Sequence, residues 1–196
     1  DYLTFTFSAW VRLNTTSATG VIMRVQVSGE TNNQLVLQYH SSGEIRASSK
    51  LGGVADVLNQ GSNSIENDGN FHHVVFVVDK SGNNNSILYV DGSAKETISG
   101  VGTLAGTFNK MSLGQNTTDG AFLNGDIDEV AIWNRAITAD EVSSIYAAGA
   151  SDNSSDIKGS YGTSLIGYYR FEEKSGTVAI NSADITKNGT LVNTPT

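Results

Sequence analysis

The chain reads as an all-β protein, a two-sheet antiparallel jelly-roll sandwich with one short helix. Three observations predict this. Apolar runs of strand length recur roughly every 10 to 20 residues, separated by Asn, Ser, Thr and Gly, which suit tight turns. The first of these runs alternates with period two. A single segment, beginning near Thr138, switches to helical spacing.

In TFTFSAWVRL, Phe5, Phe7, Ala9 and Val11 fall on one face and Thr4, Thr6, Ser8, Trp10 and Arg12 on the other. That pattern predicts a half-buried strand. Strands follow at Val21 to Val27 and Gln34 to Tyr39, and a turn at Ser41-Ser42-Gly43 leads into EIRAS. FHHVVFVVD, Phe71 to Asp79, is almost continuously apolar and reads as a central strand covered on both faces. SILYVDG-SAKETIS is a hairpin with Asp91-Gly92 at its turn. KMSLG and GDIDEVAIWN, Gly125 to Asn134, supply further strands.

Thr138-Ala139-Asp140-Glu141 has capping-box spacing, in which the Thr hydroxyl and Glu carboxylate each satisfy an orphan N–H. Val142, Ile145 and Tyr146 form an apolar stripe expected to seal one end of the sandwich, and Gly149 suits the C-terminal cap. Residues 150–164 are polar and rich in Ser and Gly, which predicts a linker or surface loop. LIGYYRF then returns to strand character.

At 196 residues the chain can bury a core without staples, and all-β folds of this length commonly form one domain. It has no cysteine, hence no disulfide and no thiolate site. The net charge of −8 and the scattered basic residues argue against nucleic acid as a partner. No stretch reaches the roughly 20 apolar residues of a membrane helix, so membrane insertion is not expected. The opening residues lack the order of a signal peptide, and the chain reads as a piece of something longer.

The succession FTFSAWV, FHHVVFVVD, LYVDG and GDIDEVAIWNRAITADEVSSIY resembles the laminin-G-like jelly-roll domains of the concanavalin A-like lectin and glucanase superfamily. The likeness covers most of residues 5–148. It implies two antiparallel sheets, binding of glycans or proteins, and often a structural calcium. The tail, GYYRFEEKSGTVAINSADITKNGTLVN, resembles the way such domains begin, yet stands after the helix. The expected organisation is therefore a jelly-roll over 1–149, a connection over 150–164, and a terminal segment over 165–196. That last segment either completes the same sandwich or starts a following repeat.

Ile127, Val130 and Ile132 cannot all face the core under strict alternation; a β-bulge at Asp128-Glu129 resolves the conflict. The carboxylates of Asp126, Asp128 and Glu129, with nearby carbonyls, then form a candidate Ca²⁺ site. The resemblance points to Asp128 as the ligand. In the alternative, Asp128 accepts backbone N–H groups and Glu129 is solvated or pairs with Arg135. Asp126 and Asp128 alternate, but Val130 and Ile132 occupy the next positions on that face. The third carboxylate of the superfamily's glucanases is missing, which argues against an enzyme.

For glycan contact the candidates are Trp10 and Trp133, whose flat rings could stack on sugars, and Asn116 and Asp119 in the Gln115–Gly120 loop. Burial of both tryptophans beneath the helix or the tail is the competing expectation. His72 and His73, adjacent on a strand, should point to opposite faces and cannot share a metal. The chain is thus expected to be a non-catalytic binding or adhesion module at a cell or virion surface, recognising glycan or protein through its loops. A structural repeat or virion building block that self-associates through the C-terminal segment is the alternative.

Overall fold

The computed structural model describes residues 4–14, 18–29, 32–41, 44–58, 65, 68–79, 85–99, 107–115, 121–149 and 157–192. The strands are β1 (Thr4–Leu13), β2 (Gly20–Gln26), β3 (Gln34–His40), β4 (Glu44–Leu51), β5 (Val54–Leu58), β6 (His72–Asp79) and β7 (Asn85–Val90). After them come β8 (Ser93–Ser99), β9 (Lys110–Leu113), β10 (Gly125–Trp133), helices α1 (Ala139–Gly149) and α2 (Ile157–Tyr161), and β11 (Leu165–Tyr169). A small hairpin of β12 (Val178–Ala179) and β13 (Gly189–Thr190) flanks a 3-10 turn at Ile185–Lys187.

The strands form a six-stranded sheet, β11-β10-β1-β6-β7-β8, and a five-stranded sheet, β5-β4-β3-β2-β9. Every pairing is antiparallel. The fold is the expected jelly-roll sandwich. Phe7, Phe76, Leu35, Leu37, Tyr39 and Ile45 lie almost wholly out of solvent in the core between the sheets. At the β7–β8 turn Asp91 and Gly92 both take positive φ, 50° and 72°, the geometry of a type I′ hairpin.

The six-stranded sheet also carries a second core on its outer face. Val75, Val77, Ala131, Trp133, Val142 and Ile145 pack there beneath α1. β1 is therefore buried on both faces rather than half-buried, and its polar positions are absorbed by hydrogen bonds. Thr6 Oγ1 donates to the Arg135 carbonyl at 2.7 Å and accepts from the Ile137 amide at 3.1 Å. Ser8 Oγ lies 2.8 Å from His73 Nε2. The capping box forms as expected, Glu141 N–H donating to Thr138 Oγ1 and Thr138 N–H to Glu141 Oε2.

Two segments depart from the expected outline. The presumed connection at 150–164 contains α2, because Ile157 is buried in the outer core and the Tyr161 carbonyl accepts from Trp133 Nε1 at 2.8 Å. β11 pairs with β10 within the same chain, Val130 opposite Tyr169 and Ile132 opposite Gly167. Asn181, only 1% exposed, hooks the following segment to that edge: its Oδ1 accepts from the amides of Tyr168, Ala183 and Asp184.

Candidate functional site

The acidic bend of β10 has the expected bulge. Ser8 pairs with Ala131 and Trp10 with Asp128, so one residue of β1 faces two of β10, and Glu129 sits at φ 48°. The three carboxylates there go to different partners. Asp126 pairs with Arg12 at 3.0 Å. Asp128 Oδ1 accepts the Glu129 amide at 2.8 Å. Glu129 accepts from the Tyr168 hydroxyl and pairs with Arg170 at 3.4 Å. Arg135, the partner expected for Glu129, instead grips Glu141 at 2.6 Å.

Burial raises the pKa of both Asp128 and Glu129 above the ordinary carboxylate range. The three carboxylates turn to three different partners rather than converging on one point, which makes a poor oxygen cage for a hard divalent ion. Among the described residues no group of three or more His, Cys, Asp or Glu could hold a metal. The described part of the bend does not fit the calcium that the resemblance implies.

The tryptophans lie on the helix side. Trp133 is completely buried, leaving no ring face for a sugar. Trp10 stacks on Tyr146 of α1 at 5.8 Å and on His73 at 5.2 Å. The helix side covers Trp133 fully and Trp10 in part. Asn116 and Asp119 lie outside the described residues, as does much of the loop set expected to recognise a partner. His72 and His73 do diverge: His72 Nδ1 meets Asp91 at 2.8 Å while His73 is fully buried against Ser8.

Away from the helix side, the outward polar side chains of β3 and β4 line the outer face of the five-stranded sheet, while Arg24 and Gln26 of β2 and Val36 of β3 are buried there, 5%, 7% and 8% exposed. Strand alternation builds it. Leu35, Leu37 and Tyr39 of β3 and Ile45, Ala47 and Leu51 of β4 turn inward, so Gln34, Gln38, His40, Glu44, Arg46, Ser48 and Lys50 turn outward. Register aligns them across strands. Lys110, Gln26, Gln34 and Lys50 form one row over β9, β2, β3 and β4, and Ser112, Arg24, Val36 and Ser48 form the next.

Arg24 Nη2 donates to Gln34 Oε1 at 2.6 Å, cross-linking the rows, and Arg46 donates to Glu44 at 3.1 Å. Gln26 is 7% exposed, and its Oε1 has no donor among the described residues. A buried acceptor without a donor costs free energy comparable to a lost hydrogen bond. The signal for this face was present in QLVLQYH and EIRASSKL, where, Val36 apart, polar residues recur at every second position.

A second opening, about 360 Å³, lies between the sheet edges where β2, β9, β10 and β11 meet, floored by Phe5, Phe108, Met111, Ile132 and Tyr169. Its buried polar member, Asn181, is committed to the chain fold. It offers mainly apolar contact.

Three solved structures share the fold. A candidate carbohydrate-binding protein from Bacteroides ovatus superposes with TM-score 0.65 at 16% identity, covering 97% of this chain. This chain spans 55% of that protein. The CBM40 of the Ruminococcus gnavus IT-sialidase, bound to α2,3-sialyllactose, gives 0.63 at 13% identity over 74% of this chain and 83% of its own. Domain 4 of AbnA, an extracellular arabinanase from Geobacillus stearothermophilus, in complex with arabinotriose, gives 0.60 at 19% identity over 74% of this chain and 68% of its own. Among curated proteins no sequence matches significantly. The Laminin_G_3 family model, described as the concanavalin A-like lectin/glucanases superfamily, matches residues 3–143, and the chain belongs to that family.

Proposed function

We propose that this protein is a non-catalytic carbohydrate-binding module, acting outside the cell, that receives an oligosaccharide across the outer face of its five-stranded sheet. The observation that carries the reading is the partly exposed polar set of β3 and β4, Gln34, Gln38, Arg46, Ser48 and Lys50, aligned across the two strands by register. Such side chains match sugar hydroxyls, which both donate and accept. Two similar structures hold sialyllactose and arabinotriose, which supports the ligand class.

A non-catalytic role is supported by the shortage of acids on this face. Retaining hydrolysis needs two carboxyl groups about 5–5.5 Å apart. Among the described outward side chains of β2, β3, β4 and β9, Glu44 is the lone carboxylate, and it is held by Arg46. The test is binding to an oligosaccharide panel by calorimetry, with the outward Gln38→Ala as the probe. The variant should bind about tenfold more weakly, roughly 1.4 kcal/mol, with unchanged thermal stability. Binding that survives Gln38→Ala but is lost in Phe108→Ala would move the site to the cleft between the sheet edges.

A further inference from the structure

We infer that the cleft between β9 and β11 is a second ligand site, one that takes the apolar chain of a small amphiphile such as a medium-chain fatty acid. It lies at the sheet edges, and none of the outward side chains of β3 and β4 lines it, so it stands independently of the sugar face. The sandwich closes along one side, where β5 and β8 meet. On the opposite side the terminal strands β9 and β11 leave an opening of about 360 Å³. A water takes up about 30 Å³ of liquid and a methylene fills a similar space, so the opening has room for a chain of about ten carbons.

The lining fixes the kind of ligand. Phe5, Phe108, Met111, Ile132 and Tyr169 supply carbon surface. The polar groups among them are already engaged by the fold. Asn181 Oδ1 accepts the amides of Tyr168, Ala183 and Asp184. The Tyr169 hydroxyl donates to the Lys187 carbonyl at 3.2 Å, and Asn109 Oδ1 accepts the Ser28 amide at 2.8 Å. Lys187 Nζ pairs with Asp184 at 3.1 Å. A sugar brought here would strip water from its hydroxyls and find few partners in return. A hydrocarbon chain has no such requirement and gains by leaving water. The protein gains as well, because Phe108 and Met111 are only half-buried and Ile166 is 42% exposed.

One strand position keeps the space open. Gly167 of β11 lines the cleft, and no positive φ calls for glycine there. A Cβ at this position would stand 3.1 Å from Ile132 Cδ1 and 3.3 Å from Tyr169 Cε2, both on the cleft wall. A longer side chain would therefore grow into the space that the glycine leaves. Glycine inside a strand weakens it, and it often marks a place where a ligand approaches closely.

The test is a chain-length series by calorimetry, from butyrate through hexanoate and octanoate to decanoate, each below its micelle concentration. Affinity should rise about fourfold with each added methylene. Gly167→Val, which fills the cleft, should weaken decanoate binding about tenfold or more. Vesicles of phosphatidylglycerol distinguish the source of the chain. Sedimentation of the protein with them, abolished in Gly167→Val, assigns a chain offered by a lipid surface, and no sedimentation assigns a free amphiphile. Affinity that does not change with chain length overturns the proposal, as does undiminished decanoate binding by a folded Gly167→Val protein. Circular dichroism reports the folding of that variant. If it does not fold, Ile166→Ser at its exposed position repeats the test: decanoate binding about threefold weaker supports the site, and unchanged binding overturns it.

Discussion

The adjacent histidines of β6 titrate in opposite senses because they face opposite surroundings. His73 is fully buried, and burial pushes its pKa down to about 4, the nearby Asp91 charge opposing only in part. It is neutral in the folded state and is protonated in the unfolded chain below about 6.5. Its contribution to stability is therefore present above pH 6.5 and is lost as pH falls from there toward 4, on the order of 1.4 kcal/mol per pH unit. His72 behaves the other way. Burial opposes its charge, but hydrogen bonds and charge from Asp91 and Asp68 outweigh that and raise its pKa. Its contribution is complete below about 6.5 and is lost as pH rises through the higher folded value. NMR of the two imidazoles should find one titrating above 6.5 and the other silent until near pH 4. Asp91→Asn should bring the His72 value down; an unchanged value would show that the pair seen at 2.8 Å is not formed in solution.

Glu141 is the other residue whose role is set by its partners. Arg135 grips its carboxylate and Thr138 donates to it, holding its pKa at about 2. Stability from this group is present above the ordinary glutamate value and disappears as pH falls toward 2. Glu141→Gln should cost about 1–2 kcal/mol in chemical denaturation at pH 7, the size of a lost helix cap with a half-exposed ion pair. The cap was legible, because Thr138 and Glu141 stand at the required spacing. The Arg135 pairing was not, because Glu129 and Glu141 are both near in sequence, and only the β10 bulge decides which of them the guanidinium meets.

At the scale of elements, α1 and the C-terminal segment decide what the sandwich can expose. The stripe of Val142 and Ile145 announced a helix on the sandwich, but not which face it covers. Period-two alternation in β1 hid the answer: Thr6 and Ser8 look solvent-facing in sequence and are buried under the helix side. Helix and sheet approach closely there. A Cβ added at Gly149 would stand 2.3 Å from Trp10 Cζ2. Gly149→Ala should therefore destabilise by about 1–3 kcal/mol, although alanine is the better helix former. A neutral or stabilising result would mean that Trp10 is not packed under the helix.

The C-terminal segment depends on one side chain. Asn181 Oδ1 receives three backbone amides, and its Nδ2 donates to the Ile166 carbonyl at 3.3 Å. Asn181→Ala leaves those buried groups without partners and should cost about 2–4 kcal/mol, raising the proteolytic sensitivity of the segment after Gly162 before the rest of the sandwich is cut. Loss of the same size in every element would show that the segment and the sandwich unfold as one unit. Periodicity does not mark Asn181, since a hub of local backbone bonds has no periodic signature.

For the whole molecule, the two sheets have divided their labour. One is sealed by helices and contains both tryptophans. The other turns the polar side chains of β3 and β4 outward. The succession of strands along the chain and the sandwich itself were legible from periodicity and turn residues; the order of strands within each sheet was not. The candidate face was harder to see, because its members come from β2, β3, β4 and β9 and meet only through register. This division has an optical consequence. Stacked sheets lie about 10 Å apart, so a ligand on the five-stranded sheet is separated from Trp10 and Trp133 by the full thickness of the sandwich. Saturating the protein with a bound oligosaccharide should leave tryptophan emission unchanged in wavelength and intensity, while calorimetry on the same sample registers heat. Quenching or a shift would place the ligand on the helix side, where Trp10 alone retains partial access, and would refute the assignment of the site to the opposite sheet.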